Sequence, residues 1–390
     1  MRLQWGLIGG GETSQIGAAH QIAAQRNNAF ELTAAALDID PTRAREFAIR
    51  LGVPRERAYG DWREMLEAER KRASRLDLIT VATPNSSHFE ITRAFLEAGF
   101  DVLCEKPMTT TVAEAEEIVE TARNHQRICA VNFGYSGYPL VRHARAMVAR
   151  GDLGRVRVVV TEFAHGHHAN AAEADNPRVR WRYDPAVMGA SSVFADCGIH
   201  ALHLACFITG QQVESLSADF ASTIRGRQLE DDALLAFRMS QGTVGRLWTS
   251  AVAIGRVHGL TIQVYGELGG LRWQQEQPNQ LYWTPLGAPT SIIERGAAGL
   301  SADADRATHL TVGHAEGFLG AFGNIYADLA EVLQARKAGR PANPLALSYP
   351  RAEDGLLSIT AVRAAADSAS AGGAWVKLRD VPSHGAPSGA

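Results

Sequence analysis

The sequence predicts an α/β protein of two domains: an N-terminal doubly wound parallel sheet, then an α/β domain carrying a large, mostly antiparallel open sheet. Three observations carry this expectation. Through roughly the first 130 residues, short apolar runs alternate with amphipathic stretches of 3.6-residue period. Beyond residue 133 the runs become longer and β-branched, punctuated by Gly, Asp and Ser turns. At 390 residues and 46% hydrophobic, the chain is long and apolar enough to bury more than one core.

In order along the chain, LQWGLIG, ELTAAALD, LDLITVATP, DVLCEKP and RICAVNF read as buried strands. Between them AAHQIAAQ, PTRAREFAIRLG, DWREMLEAERKR, SHFEITRAFLEAG and TVAEAEEIVETARNH read as helices. Pro41 and Pro84 mark boundaries, since proline restricts its predecessor and suits a helix start. These β-α units define a domain over 1–132. A second domain over 133–380 opens with the helix PLVRHARAMVARG and the strand VRVVVTEFAHG, followed by a helix near GIHALHLACFITG. ESLSADFAST, DALLAFRMS, GTVGRLWTS, LTIQVYGELGG, LRWQQE and QLYWTP then read as strands of an antiparallel sheet. Residues 286–314, rich in Gly, Ala, Ser and Thr, are expected to form a surface loop. The helices GFLGAFGNIYADLAEVLQARK and AEDGLLSITAVRAAADSAS and the short strand AWVKL close the domain, and 381–390 is expected to be a loose tail.

Composition excludes several classes. The formal charge is -3 and the arginines are scattered, so neither nucleic acid nor an anionic membrane is expected as a partner. No apolar run approaches the ~18–20 residues that span a bilayer, and MRLQWGLIGG does not read as a secretory signal. The four cysteines show no framework spacing. A reduced, cytoplasmic enzyme is the simplest expectation.

The first strand runs into GGGETSQIGAAH, residues 9 to 20. A glycine turn between a strand and a helix lets backbone N–H groups approach a pyrophosphate, with the helix dipole adding to the attraction. Gly9 and Gly11 fit the G-x-G-x-x-G fingerprint, but Ser14 stands where the third glycine belongs. An enlarged turn would let Gly17 take that place, with Ser14, Gln15 and Ile16 as candidate cofactor contacts; the bland alternative is an ordinary β-α turn. The second strand ends at Asp38, an acid placed to bind the adenosine ribose hydroxyls. A carboxylate there repels the 2′-phosphate of NADP, and Ile39 supplies no compensating base. NAD is therefore the expected cofactor, with NADP the alternative.

In doubly wound sheets, ligands gather beyond the carboxyl ends of the strands. Thr83, Pro84 and Asn85 fall there and are expected on the nicotinamide side, while His88 either helps hold the cofactor or simply starts the next helix. Glu105-Lys106-Pro107 follows another buried strand. A lysine at such an end can hydrogen-bond a substrate hydroxyl and stabilise developing alkoxide charge; otherwise it is a solvated surface residue. Glu105 and Lys106 are both candidate cofactor contacts. In ASSVFADCGIHALHLACF, Asp196 and His200 lie one helical turn apart. A histidine near its ordinary pKa can take a hydroxyl proton as hydride leaves carbon, and Asp196 can bind substrate or orient the imidazole. Cys197, His200, His203 and Cys206 form a rival metal set, but steps of three drift around a helix, and no metal is expected.

The glycine turn, the TPN…H segment, the EKP motif and the D-x-G-x-H helix occur in this order at compatible distances, over about residues 3 to 378. In this the chain resembles the glucose–fructose oxidoreductase/inositol dehydrogenase/MocA-like (Gfo/Idh/MocA) family. The resemblance implies an N-terminal Rossmann domain and a C-terminal α/β domain. It also implies NAD(P)-dependent hydride transfer at a hydroxyl or keto carbon of a sugar, cyclitol or glycoside. Lys106, Asp196 and His200 would then be the catalytic trio, and the peptide before Pro107 is expected to be cis. The turn resembles a variant of one branch of the family, with the final Gly-x-x-His retained as Gly17 and His20, and Arg180, Trp181, Arg182 and Tyr183 are expected in a wall near nicotinamide or substrate. EFAHGHHANA departs from the aromatic-rich stretch expected there, so His165, His167 and His168 either reshape the substrate pocket or form a polar loop. Two alternatives stay open: a glycoside-cleaving or eliminating enzyme that oxidises its substrate transiently, and a non-catalytic NAD-binding sensor. Apolar residues in LTIQVYG and GRLWTS point to a homodimer or homotetramer formed through the C-terminal sheet.

Overall fold

The computed structural model describes residues 2–173 and 175–379, so the expected tail at 381–390 lies outside the described residues. The chain forms two compact units, one from residues 2–134 with 319–356 and one from 135–318 with 357–379.

The N-terminal segment follows its apolar periodicity. Strands β1 (Leu3–Gly9), β2 (Phe30–Ala36), β3 (Leu78–Ala82), β4 (Val102–Cys104) and β5 (Cys129–Val131) alternate with helices α1 (Gln15–Gln25), α2 (Pro41–Arg50), α3 (Trp62–Glu69), α4 (His88–Glu97) and α5 (Val112–Asn124). The strands pair in parallel in the order β2-β1-β3-β4-β5. Every residue of β3, β4 and β5 is buried, the pattern of parallel strands covered on both faces. Local chemistry starts the helices. Asp40 precedes Pro41 and accepts from the Arg43 N–H, Asp61 caps α3, and Thr111 with Glu114 forms a capping box on α5. The pairing puts Gly9 opposite Ala82, Val81 opposite Cys104, and Cys104 opposite Val131. The carboxyl ends of four strands therefore finish level, and the strand order reverses direction at β1/β3, where ligands gather in such sheets.

The second unit opens with α6 (Pro139–Arg150), stopped by Gly151 in the left-handed region at φ 82°. Strand β6 (Val156–Ala164), the short helices α7 (Pro177–Arg180) and α8 (Pro185–Met188), and α9 (Ile199–Thr209) follow. Then come β7 (Val213–Ala221), β8 (Asp232–Met239), β9 (Val244–Ser250), β10 (Thr261–Gly266), β11 (Gly269–Gln274), β12 (Gln280–Pro285) and β13 (Ser291–Glu294), and helix α10 (Ala302–Ala307). Burial alternates along β8, with Ala233, Leu235, Phe237 and Met239 inside, so one sheet face is packed and the other is open. The loop expected over 286–314 is instead partly ordered. β13 pairs with β12, and α10 buries Ala304 and Ala307 beside the buried Arg142–Asp303 ion pair, 3.0 Å.

The chain then returns through α11 (Phe318–Lys337) and α12 (Ala352–Ser370) to β14 (Val376–Lys377), which pairs with β7. β14 completes a nine-stranded sheet in the order β13-β12-β11-β10-β6-β9-β8-β7-β14, antiparallel except at β6/β9. Residues 319–356 group with the N-terminal unit rather than with the 133–380 block expected from sequence. The reason is visible at Tyr326 on α11, which is fully buried and hydrogen-bonded to His20 and Thr80. Among the described residues, no helix is long and apolar enough to cross a membrane.

Candidate active site

The glycine turn is built by close backbone contact. Gly9 and Gly10 adopt φ of 77° and 70°, conformations that side chains rarely tolerate. A Cβ at Gly17 would lie 2.2 Å from the Gly10 carbonyl oxygen, so α1 can start against the turn only because position 17 lacks a side chain. Ser14 ends the turn: its N–H donates to the Gly11 carbonyl at 2.8 Å, and its hydroxyl caps α1 by accepting the Gly17 N–H at 3.1 Å. Within the enlarged loop, the exposed Glu12 pairs with Arg50 at 2.7 Å, Gln15 is exposed, and Ser14 and Ile16 are half-buried.

Asp38 stands just beyond β2, beside Gly11. Its Oδ1 accepts the Arg43 Nη2–H and the Asp40 N–H, both at 2.8 Å. The Arg43 bond, then that of Asp40, holds the carboxyl below the usual carboxylate range. No base adjoins Asp38 in sequence, since the next residue is the apolar Ile39, which points into solvent at 96% exposure. Arg43 fills that role from the first turn of α2.

At the end of β3, the Ser87 hydroxyl donates to Thr83 Oγ1 at 2.8 Å, holding the Thr83-Pro84-Asn85 bend. His88 is fully buried, with Nδ1 2.8 Å from the Pro107 carbonyl oxygen and Nε2 2.8 Å from that of Thr83. Both partners are acceptors, so the ring satisfies both only as an imidazolium with two N–H groups. Burial opposes the charge, but the neighbouring Cys104 and the two carbonyls outweigh it and raise the pKa to about 9. His88 thus ties the bend after β3 to the turn after β4.

That second turn carries Glu105-Lys106-Pro107, and the Lys106–Pro107 bond is cis, as the resemblance implied. Glu105 is buried, and its Oε1 accepts from His20 Nε2 at 3.0 Å and from the Asn132 amide. Its Oε2 accepts the Lys106 backbone N–H at 3.1 Å. Burial alone would raise its pKa; the His20 bond, with Lys106 and Asn132, more than offsets this and keeps Glu105 a carboxylate. Asn132, directly after β5, was missed by sequence reading. Its Oδ1 is buried and has no partner among the described residues, an acceptor open to a ligand donor. The small-residue cradle at Gly9–Gly17, the acid at Asp38 and this open acceptor line the carboxyl edge of one sheet, and they fit a dinucleotide.

The second unit presents the other half of the expected set. Residues Phe194–Gly198 form a π-helical turn leading into α9, a distortion often found at functional sites. It carries the partly exposed Asp196, whose Oδ2 lies 3.9 Å from Arg182 Nε. Arg182 in turn stacks over Trp181, 4.3 Å from the ring centre. His200, only 7% exposed, meets the Tyr135 ring edge-on at 4.7 Å. Glu230, another residue the sequence did not flag, organises this segment. Its Oε1 accepts the Ser191 hydroxyl and the Ser192 and Phe194 N–H groups. Burial raises the Glu230 pKa despite these bonds.

The histidine loop after β6 packs beside this helix. His165 Nε2 lies 3.5 Å from Cys197 Sγ, and His168 Nδ1 lies 2.9 Å from the Tyr183 hydroxyl. Burial above all, then His167 for His165 and Arg182 for His168, lowers both pKa values to about 4, so both rings are neutral at pH 7. Among the described residues, no group of three or more His, Cys, Asp or Glu is arranged to hold a metal. An open pocket of about 1000 Å³ in the same unit is lined by Tyr138, His167, His258, Gln275, Asn279 and Phe318, among others.

A strand-turn-helix glycine cradle, an acid after the second strand and a lysine at a parallel sheet edge define an NAD-binding oxidoreductase. Comparison with known proteins gives the family. Residues 3–133 match the oxidoreductase family model with an NAD-binding Rossmann fold, and residues 141–272 match the Gfo/Idh/MocA C-terminal domain. The chain belongs to the Gfo/Idh/MocA family. It is 35% identical over 381 residues to the uncharacterized oxidoreductase YfiI of Bacillus subtilis, covering 97% of each. An inositol dehydrogenase homolog from Azotobacter vinelandii, solved with NAD+, superposes with a TM-score of 0.91 at 39% identity, covering 97% of this chain and 98% of that one. The same homolog solved with NADH and myo-inositol gives 0.89 at 38%, with the same coverage. Levoglucosan dehydrogenase of Pseudarthrobacter phenanthrenivorans is 26% identical over 308 residues, covering 72% of this chain and 75% of the relative.

Proposed function

We propose that this protein is an NAD-dependent dehydrogenase that oxidises a secondary alcohol of a cyclitol or sugar, or reduces the matching ketone. The observation that carries the reading is the level carboxyl edge of the parallel sheet. There the phosphate cradle, the Thr83–Asn85 bend and the Glu105-anchored Lys106 turn end side by side. Support for the substrate class comes from the inositol dehydrogenase homolog, solved with myo-inositol, and from levoglucosan dehydrogenase.

The bound nicotinamide supplies the hydride acceptor. In this reading the backbone N–H groups of Gly9–Gly11 and the first turn of α1 hold the pyrophosphate, aided by Ser14, Gln15 and Ile16, while Asp38 accepts from the ribose hydroxyls. Thr83, Pro84, Asn85, His88, Glu105, Trp181 and Arg182 shape the nicotinamide end. His200 takes the hydroxyl proton as the C–H bond is lost as hydride, and the Lys106 ammonium stabilises the developing alkoxide. Asp196 orients substrate or imidazole. The open face of the nine-stranded sheet, with the exposed Leu234, Tyr265 and Ile292, would pair subunits into a dimer or tetramer; a monomer by light scattering contradicts that part.

The test is absorbance at 340 nm with NAD or NADP against a panel of cyclitols, sugars and glycosides. NADH formation that is lost in Lys106→Ala supports the reading. NAD that co-purifies while glycosides are consumed without net NADH would replace it with transient oxidation. Tight NAD binding with no turnover of any panel member would replace it with a sensor.

A further inference from the structure

We propose that His20 and Tyr326 are positioning residues for Lys106, acting through a one-directional hydrogen-bond chain that ends on Glu105. The proposal rests on the role given to Lys106 above.

Five buried side chains are linked in series. Trp5 Nε1 donates to Thr80 Oγ1 at 2.9 Å, Thr80 Oγ1 and the Tyr326 hydroxyl are 2.9 Å apart, the Tyr326 hydroxyl lies 2.8 Å from His20 Nδ1, and His20 Nε2 lies 3.0 Å from Glu105 Oε1. The direction of each bond follows from what the ends can do. An indole N–H only donates, and an ionised carboxylate only accepts. Thr80 already receives the Trp5 proton, so among the described residues Tyr326 is the partner left to accept its own proton. Tyr326 must then donate onward to His20 Nδ1, which leaves the imidazole proton on Nε2, facing Glu105. The three inner members, Thr80, Tyr326 and His20, each give one proton and take one. Reversing a link leaves a hydroxyl proton without an acceptor, or sets two acceptors face to face, at a site closed to water.

The consequence falls on Glu105. A donor delivered at Oε1 by His20, beside that of Asn132, favours the carboxylate, whose other oxygen holds the Lys106 backbone N–H. The side chain expected at the reacting oxygen therefore starts from a backbone anchored by a chain that reaches across β1, β3 and the returning α11. Burial raises the Tyr326 pKa, which keeps the hydroxyl a donor. The edge-on contacts of the Tyr326 ring with Trp5, His20 and Phe30 need no hydroxyl, so Tyr326→Phe removes the link and leaves the packing.

The experiment pairs two readouts on full-length protein. In 15N-histidine-labelled enzyme, the His20 signal, assigned by its absence in His20→Gln, is expected to show a protonated Nε2 and a bare Nδ1, and to lose that single tautomer in Tyr326→Phe. With the panel alcohol that gives NADH, Tyr326→Phe and His20→Leu are expected to lower kcat about tenfold or more, since small misplacements of a reacting group are costly. The NAD Kd should stay within about twofold. His20→Gln, whose amide offers one donor and one acceptor, is expected to recover most of the loss, which a merely space-filling role would not produce. An Nδ1-protonated or doubly protonated ring, or wild-type kcat in Tyr326→Phe beside an inactive Lys106→Ala, overturns the inference and leaves the function standing. An active Lys106→Ala overturns both.

Discussion

Replacing Gly17 with alanine adds one methyl group at the tightest point of the phosphate cradle. That carbon would meet the Gly10 carbonyl oxygen at 2.2 Å, Gly10 Cα at 2.5 Å and the Gly10 carbonyl carbon at 2.6 Å. All three are backbone atoms, so no side chain can swing aside; α1 and the turn must separate by about 1 Å to restore ordinary contact. Overpacking of this kind costs ~1–3 kcal/mol. The same displacement pulls the turn's N–H groups away from any pyrophosphate they hold. Each hydrogen bond to a charged group contributes ~1.5–3 kcal/mol, so loss of one weakens NAD binding about tenfold to a hundredfold. Calorimetric titration with NAD and a thermal melt together read both effects, with Gln25→Ala, an exposed site at the far end of α1, as the control. If Gly17→Ala binds NAD within twofold of wild type and melts at the same temperature, the turn is not the cofactor cradle and the packing argument fails.

The remaining predictions concern charge. Asp38→Ala removes the proposed ribose acceptor and the nearer carboxylate partner of Arg43, 64% exposed, so NAD should bind at least tenfold more weakly while NADP gains; an unchanged NAD-to-NADP preference in titrations rules the assignment out. His88 has a folded-state pKa of about 9, above its ordinary 6.5, so the stability it contributes is complete below pH 6.5 and is lost as pH rises through 9. The melting temperature should therefore fall over that window, and a His88→Gln protein with the same slope would exclude His88 as its source. Glu230→Ala leaves the Ser191 hydroxyl and the Ser192 and Phe194 N–H groups without their acceptor ahead of the Asp196–His200 helix. A loss of ~2–4 kcal/mol in denaturant unfolding is expected, and a loss below ~1 kcal/mol would show that water replaces the carboxylate.

Much of the fold was legible because each feature is written within a short stretch of chain. The parallel strands are unbroken apolar runs, and their helices begin at Ser14, Asp40, Asp61 and Thr111, residues that cap their own helices. The motifs were legible for the same reason, since a strand end and the turn after it are neighbours in sequence. What stayed hidden depends on distance along the chain or on side-chain reach. Helix α10 is only six residues long, too short for its period to stand out among small residues, and it is secured by an Arg142–Asp303 pair 161 residues apart. Tyr326 joins Thr80 across 246 residues, and nothing in GNIYADL marks it as part of the N-terminal unit. Arg43 is hidden because it lies five residues beyond Asp38, and only the first turn of α2 lets its guanidinium reach back to the carboxylate.

The central claim is that this chain oxidises a polyol with NAD, using Lys106 and His200. It is tested most directly by following absorbance at 340 nm while purified enzyme, NAD and a cyclitol–sugar panel that includes myo-inositol and levoglucosan are mixed, with Lys106→Ala and His200→Ala alongside. The account predicts NADH formation with at least one alcohol, and turnover ~10²-fold or more lower in each variant that still folds and binds NAD. NADH formation at the wild-type rate by either variant would contradict it.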